Sequence, residues 1–335
     1  MSKSKSLARL CGTAVFLLLP LLAAASDKNH CYLRDAWAPT ATTAYVLCEQ
    51  GLVYSTSDAG ATWSSSDTGA TVNLHAIAFS DATHGLVAGD SGTLLATADG
   101  GNTWQVRKTG STQHLLSIFT LGNRAWVGGF DGALLYSSDL GATWVTQKSG
   151  TTMALENVFF LDPDHGWAVG WSGTILRTAD GGKTWENIKT GAASWSLAAV
   201  HFSDLKNGWA VGFSGQLLHS VDGGATWAAQ KSPVQSWLTS VAADHSKRLW
   251  IAADDQLLVS EDSGATWRAI PVMNMFVSRL FPLGDSLFAL GELGILTQGG
   301  ASGMEWKRDD RLVPAGAHIA NSLEDAAKTT AGKMP

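Results

Sequence analysis

The stretch Ala98-Asp-Gly-Gly-Asn-Thr-Trp104 decides the fold, because the chain repeats it. Five further copies keep its Asp, Gly, Thr and Trp: Ser57–Trp63, Ser138–Trp144, Ala179–Trp185, Val221–Trp227 and Glu261–Trp267. A seventh, Gly300-Ala-Ser-Gly-Met-Glu-Trp306, has lost the Asp and the Thr but keeps Gly303 and Trp306. Successive tryptophans lie 41, 40, 41, 42, 40 and 39 residues apart. A constant period of this size is the signature of stacked supersecondary units.

Working outward from each copy, every repeat holds four short apolar runs. In the second they are Leu74–Phe79 (A), Gly85–Gly89 (B), Thr93–Thr97 (C) and Thr103–Arg107 (D), separated by turns rich in Gly, Asp and Ser. Four strands in each of seven repeats predict an all-β, seven-bladed β-propeller with four antiparallel strands per blade. A chain of 335 residues could otherwise hold two domains; the repeats replace them with one propeller over residues 26–310. Strand A opens each repeat, so the ring is expected to close without borrowing a strand. Residues 311–335 read as a flexible tail.

The seven-residue unit resembles the Asp-box, or bacterial neuraminidase repeat. Its Asp can accept backbone N–H groups across a turn, and its Gly can take positive φ. Its Trp can bury a large ring between neighbouring sheets. Asp58, Asp99, Asp139, Asp180, Asp222 and Asp262 are therefore read as structural. So are Trp63, Trp104, Trp144, Trp185, Trp227, Trp267 and Trp306. In the seventh copy a looser turn with an intact anchor is expected.

Residues 1–25 run from Lys3, Lys5 and Arg9 through an apolar stretch to Ala23-Ala24-Ala25, the order of a secretory signal peptide. An exported protein is expected, periplasmic or otherwise extracytoplasmic, and lumenal in a photosynthetic source. No later run is long enough for a membrane span. The formal charge is −6, and loss of the three basic residues in 1–25 makes it −9. That balance disfavours nucleic-acid binding. The cysteines left, Cys31 and Cys48, suggest a disulfide. A hairpin centred at Pro39-Thr40 would set them opposite each other. Such a bridge would be worth about 3 kcal/mol.

Several catalytic patterns fail. Gly89-Asp-Ser-Gly92 looks like a serine-protease nucleophile segment, but Gly129-Phe-Asp-Gly132, Gly170-Trp-Ser-Gly173 and Gly212-Phe-Ser-Gly215 occupy the same place as B–C turns. His84, His165 and Asn207 precede a Gly in the A–B turn, where such residues tolerate unusual φ. The nine histidines show no metal-ligand spacing. No metal or cofactor is expected. Sialidases use a Phe/Tyr-Arg-Ile-Pro arginine and a Tyr–Glu pair; that segment is absent and tyrosines number four. A two-carboxylate glycoside hydrolase would need acids about 5–10 Å apart at the channel mouth.

In a propeller the D–A and B–C loops share one face. The residue after strand B, blade by blade, is Glu49, Asp90, Phe130, Trp171, Phe213, Asp254 and Glu292. Residues leading into strand A add His114, Trp195 and Trp237. An aromatic sector beside an acidic one is therefore expected on that face, suited to docking a protein partner. A glycan-binding module using Trp171 and Trp195 is the alternative.

The phrase from His165-Gly-Trp-Ala-Val-Gly to Asp180-Gly-Gly-Lys-Thr-Trp185, and its echo over Asn207–Trp227, resemble the photosystem II stability/assembly factor family. The likeness covers residues 31–308. It implies a lumenal seven-bladed propeller without enzymatic activity that binds newly made reaction-centre subunits through an arginine-rich patch. Here the arginines are spread across the repeats, so the fold and the non-catalytic role transfer better than the client. The expectation is a monomeric assembly scaffold with a protein partner, a membrane-protein client among the possibilities.

Overall fold

The computed structural model describes residues 32–48, 50–191, 195–254, 256–272, 275–291, 294–299 and 305–309. They form seven four-stranded sheets, each made of four strands consecutive in sequence. No α-helix occurs among the described residues, and none is long and apolar enough to cross a membrane. Strand A of each blade packs on strand A of the next, blade seven on blade one included. The ring thus closes without a shared strand, as the repeats predict. The expected signal segment, Cys31 and the expected tail lie outside the described residues.

Seven apolar clusters fill the seven blade junctions, and each takes in one Asp-box tryptophan, from Trp63 between blades seven and one to Trp306 between six and seven. Trp306 keeps its place although its box has decayed. The deepest rings are different ones: Trp126, Trp167, Trp209 and Trp250 of strand B, and Phe79, Phe160 and Phe202 closing strand A. Trp126 stacks on Phe160 of the next blade at 3.7 Å and 17°, and Trp167 on Phe202 at 3.6 Å and 10°. The Asp-box rings Trp185 and Trp227 then meet those phenylalanines edge-on, at 5.9 and 5.7 Å. Three rings from two blades therefore interlock. The Trp126 and Trp167 indole N–H groups donate to the carbonyls of Gly181 and Gly223 in the next blade's box.

Each intact box locks itself. In the second, Asp99 Oδ1 accepts from Thr97 Oγ1 (2.8 Å) and from the Thr103 N–H (2.9 Å), while Oδ2 accepts from Thr103 Oγ1 (2.6 Å). Thr97 Oγ1 in turn accepts from the Gly101 N–H at 2.9 Å. The hydroxyl ending strand C is thus as much a part of the box as its Asp. These bonds hold the Asp58, Asp99 and Asp262 carboxyls down to about 2, the threonine after the turn contributing most. Two successive residues take positive φ, not the glycine alone, and in three boxes the first is Ala59, Leu140 or Ser263. Because Thr103 is spent on the turn, strand D shrinks to Gln105–Val106.

Two local expectations are corrected. His84, His165 and Asn207 do not take unusual φ. They bond back to Asp81, Asp162 and Asp204 three residues earlier, each at 2.9 Å. In blade one, Cys48 faces Leu33, because the hairpin turns about position 41, with Trp37 paired to Tyr45, and not at Pro39-Thr40. The fully buried Cys48 ends strand B there.

Candidate functional site

The bulge of blade one recurs in every blade. Strand A opens with a buried apolar residue, Leu33, Leu74, Leu115, Leu155, Leu197, Leu238 or Val277. The ladder then skips one position. The skipped residues are Arg34, His75, Leu116, Glu156, Ala198, Thr239 and Ser278. A bulge frees its extra residue from the ladder and re-aims the side chain. All seven line one cavity of about 470 Å³ at the channel mouth, with Asp35, Arg279, Trp237 and Phe276. Sequence reasoning missed this ring. Its signal was the residue after the invariantly apolar first position of each A run.

Around the cavity stands the expected aromatic sector. One backbone bond per blade sets it: the N–H of Phe130 donates to His114 O, that of Trp171 to Ala154 O, that of Phe213 to Ser196 O and that of Asp254 to Trp237 O. The residue after strand B therefore sits beside the start of strand A. His114 meets Phe130 at 5.3 Å, and Phe130 meets Trp171 at 5.4 Å. A second run links Trp195, Phe213, Trp237 and Phe276 at 5.7, 6.4 and 6.0 Å. Trp171, Trp195, Phe213 and Trp237 remain 46, 53, 49 and 44% exposed, a concentration of apolar surface that calls for a partner. The Trp171 indole N–H donates to Glu156 on the cavity wall. Burial pushes the Glu156 carboxyl above the usual range, and the Trp171 bond opposes it.

The acidic sector falls only partly within the described residues. Glu49 and Glu292 lie outside the described residues. Asp254 sits in the aromatic run, its Oδ2 3.4 Å from the Trp237 N–H. Asp90 is enclosed by two imidazoles: His75 Nε2 lies 2.7 Å and His114 Nδ1 2.6 Å from its Oδ1. Burial acts to raise the Asp90 carboxyl, but these two bonds prevail and hold it below the ordinary range. Residues without metal-ligand spacing along the sequence thus come together in space. His75, Asp90 and His114 come from two blades, and their donor atoms all lie within 4.8 Å of one another.

The B–C turns of blades two to five share one shape. Ser91, Asp131, Ser172 and Ser214 all take left-handed φ of 54 to 59°. The following Gly92 has φ 73°, and a Cβ there would lie 1.9 Å from the Ser111 carbonyl oxygen. The protease-like serine is turn chemistry.

Third along strand A is a position that, in four of the seven blades, reaches a neighbouring blade with a polar side chain. Asp35 Oδ2 accepts from the Ile77 N–H, Asn157 Oδ1 from Val200 and Ser240 Oγ from Leu280, at 3.0 to 3.1 Å. In blade seven the position is Arg279, whose Nε lies 3.1 Å from Asp35 Oδ1. The approach is an ion pair without hydrogen-bond alignment. Burial pushes the Asp35 carboxyl up, while Arg279 and two backbone N–H groups pull it back. Arginines scattered in sequence thus meet at one seam: Arg34 and Arg279, from the first and last blades, both line the cavity.

A sequence model of the family described as photosynthesis system II assembly factor YCF48 matches residues 62–151 and 143–233. No curated protein matches the chain. Among solved structures, YCF48 bound to D1 peptide is similar at TM-score 0.66 and 21% identity, over 80% of this chain and 91% of that one. YCF48 from Cyanidioschyzon merolae is similar at 0.67 and 20%, over 80% and 95%. A GH74 xyloglucanase from Xanthomonas campestris reaches 0.65 at 14% identity, over 83% of this chain and 54% of its own. At these identities the structures share the fold.

Proposed function

The chain belongs to the YCF48 photosystem II assembly-factor family, and on that premise we propose that it is an exported, monomeric, non-enzymatic scaffold that holds a segment of a protein client. One observation carries the reading: four half-exposed rings, Trp171, Trp195, Phe213 and Trp237, gather beside a cavity that Trp237 lines and that Trp171 reaches through Glu156. Rigid aromatic rings are the usual anchors of protein interfaces. With Arg34, Asp35, Glu156 and Arg279 in its wall, the cavity suits a polar tip of the client. The solved relative holds a D1 peptide, which is the first probe to try. The fixed state of Asp35 supports a role without catalysis, since both its oxygens are engaged by Ala36, Ile77 and Arg279. A Cys31–Cys48 bridge, formed after removal of residues 1–25, belongs to the same proposal. Denaturing, non-reducing thiol titration of the exported protein should find no free thiol; two would remove the bridge.

The test is direct. A client captured from the native host is mapped to a synthetic peptide, and its affinity is measured for the parent and for a Trp171→Ala/Phe213→Ala variant. Loss of about 30-fold or more is expected, the scale of one interface anchor. Unchanged affinity in a normally unfolding variant overturns the reading.

A further inference from the structure

We infer that His75, Asp90 and His114 form a transition-metal site at the rim of the channel mouth. The inference stands on its own observations and does not need a client. Two imidazole nitrogens converge on one carboxylate oxygen at 2.7 and 2.6 Å, and all three donors fall within one 4.8 Å cluster. A tetrahedral ion with bonds of about 2.0–2.2 Å keeps its donors about 3.3 Å apart. The two carboxylate–imidazole contacts, at 2.7 and 2.6 Å, need to open by about 0.6–0.7 Å to admit one.

The frame around it is already fixed. Asp90 opens a turn whose backbone is tied to both histidine segments: the Asp90 N–H donates to Asn73 O at 3.0 Å, and the Gly92 N–H to Gln113 O at 2.8 Å. His75 is the bulged residue of its strand, so its ring faces the mouth and not the ladder. Phe130 packs on the His114 ring. None of the three side chains is fully exposed, and none is sealed from solvent. Two imidazoles and one carboxylate select a borderline ion such as Zn²⁺, Co²⁺, Ni²⁺ or Fe²⁺ over Mg²⁺ or Ca²⁺, which prefer oxygen alone. Three protein donors leave a fourth position for water or an incoming ligand. The opposite face offers an internal control. There His84–Asp81 and His165–Asp162 pair one imidazole with one carboxylate each, and neither belongs to a three-donor cluster among the described residues.

The experiment uses tag-free full-length protein stripped with a chelator. Zn²⁺ is titrated calorimetrically, and Co²⁺ is followed by its visible absorption. One equivalent of each should bind, with the Co²⁺ spectrum of a low-symmetry nitrogen–oxygen site. His75→Gln and His114→Gln should each weaken binding about 100-fold or more, taking second-shell losses as the lower bound, while His84→Gln should leave it unchanged. Thermal unfolding of each variant without metal checks that the fold is retained. No stoichiometric binding by the parent, or equal loss in all three variants, overturns the site. Should a glutamine variant fail to fold, Asp90→Asn replaces it under the same criteria.

Discussion

The two faces of this propeller obey different rules. On the Asp-box face, six turns repeat the same bonds, and both oxygens of each box Asp are spent on its own turn. On the mouth face the backbone repeats as faithfully, with one bulge per blade, but the side chains it presents differ at nearly every blade. Repetition of both backbone and side chain marks the frame. Repetition of backbone with variation of side chain marks the place where the molecule meets something else.

Trp167 and Trp171 bring that contrast within four residues, one 1% exposed and the other 46%. Trp167→Ala should destabilise the fold by about 3–5 kcal/mol, the cost of emptying a packed aromatic site, read as a shifted denaturant midpoint. Trp171→Ala should cost about 0.5 kcal/mol or less in the same assay while weakening client binding markedly. Comparable losses of stability in the two would erase the distinction between frame and surface.

Next in size is the seam of the ring. Removing Arg279 leaves the buried Asp35 carboxylate without its cation, and Arg279→Ala should cost about 3 kcal/mol. Adding Asp35→Asn should recover part of that loss if the ion pair, and not packing, is what the seam requires.

The Asp-box face has its own pH signature. A carboxyl held at about 2 in the fold and ordinarily at 3.8 stabilises fully above the higher value and loses its contribution as pH falls through the lower. Melting temperature should therefore decline between about pH 4 and pH 2. Asp58→Asn, Asp99→Asn and Asp262→Asn together should flatten that decline and lower the plateau above it. A modest gain is expected at Leu140, a half-exposed leucine at φ 58°. Leu140→Gly should stabilise by about 1 kcal/mol, measured by chemical unfolding.

Much of the frame was legible because the Asp-box spells itself out in contiguous residues. The aromatic sector was legible too, since it follows from counting to the residue after each strand B. The bulge was hidden. Leu74-His-Ala-Ile-Ala-Phe79 reads as an ordinary strand, and nothing local shows that the ladder skips His75. The His75–Asp90–His114 cluster escaped for a related reason: its spacings reflect blade geometry and match no helix or hairpin ligand pattern. Arg34 and Arg279 stand at opposite ends of the chain, and only closure of the ring makes them neighbours.

The skipped position has a consequence for how such a molecule can change over generations. Because the bulged residue gives no rung to its sheet, it can be exchanged for almost any other without disturbing the strands on either side. Seven such positions, one per blade, amount to a lock with independently cut wards on a body that stays the same. A lineage can refit that lock to a new client one ward at a time, and the intact Asp-boxes on the far face keep every intermediate folded.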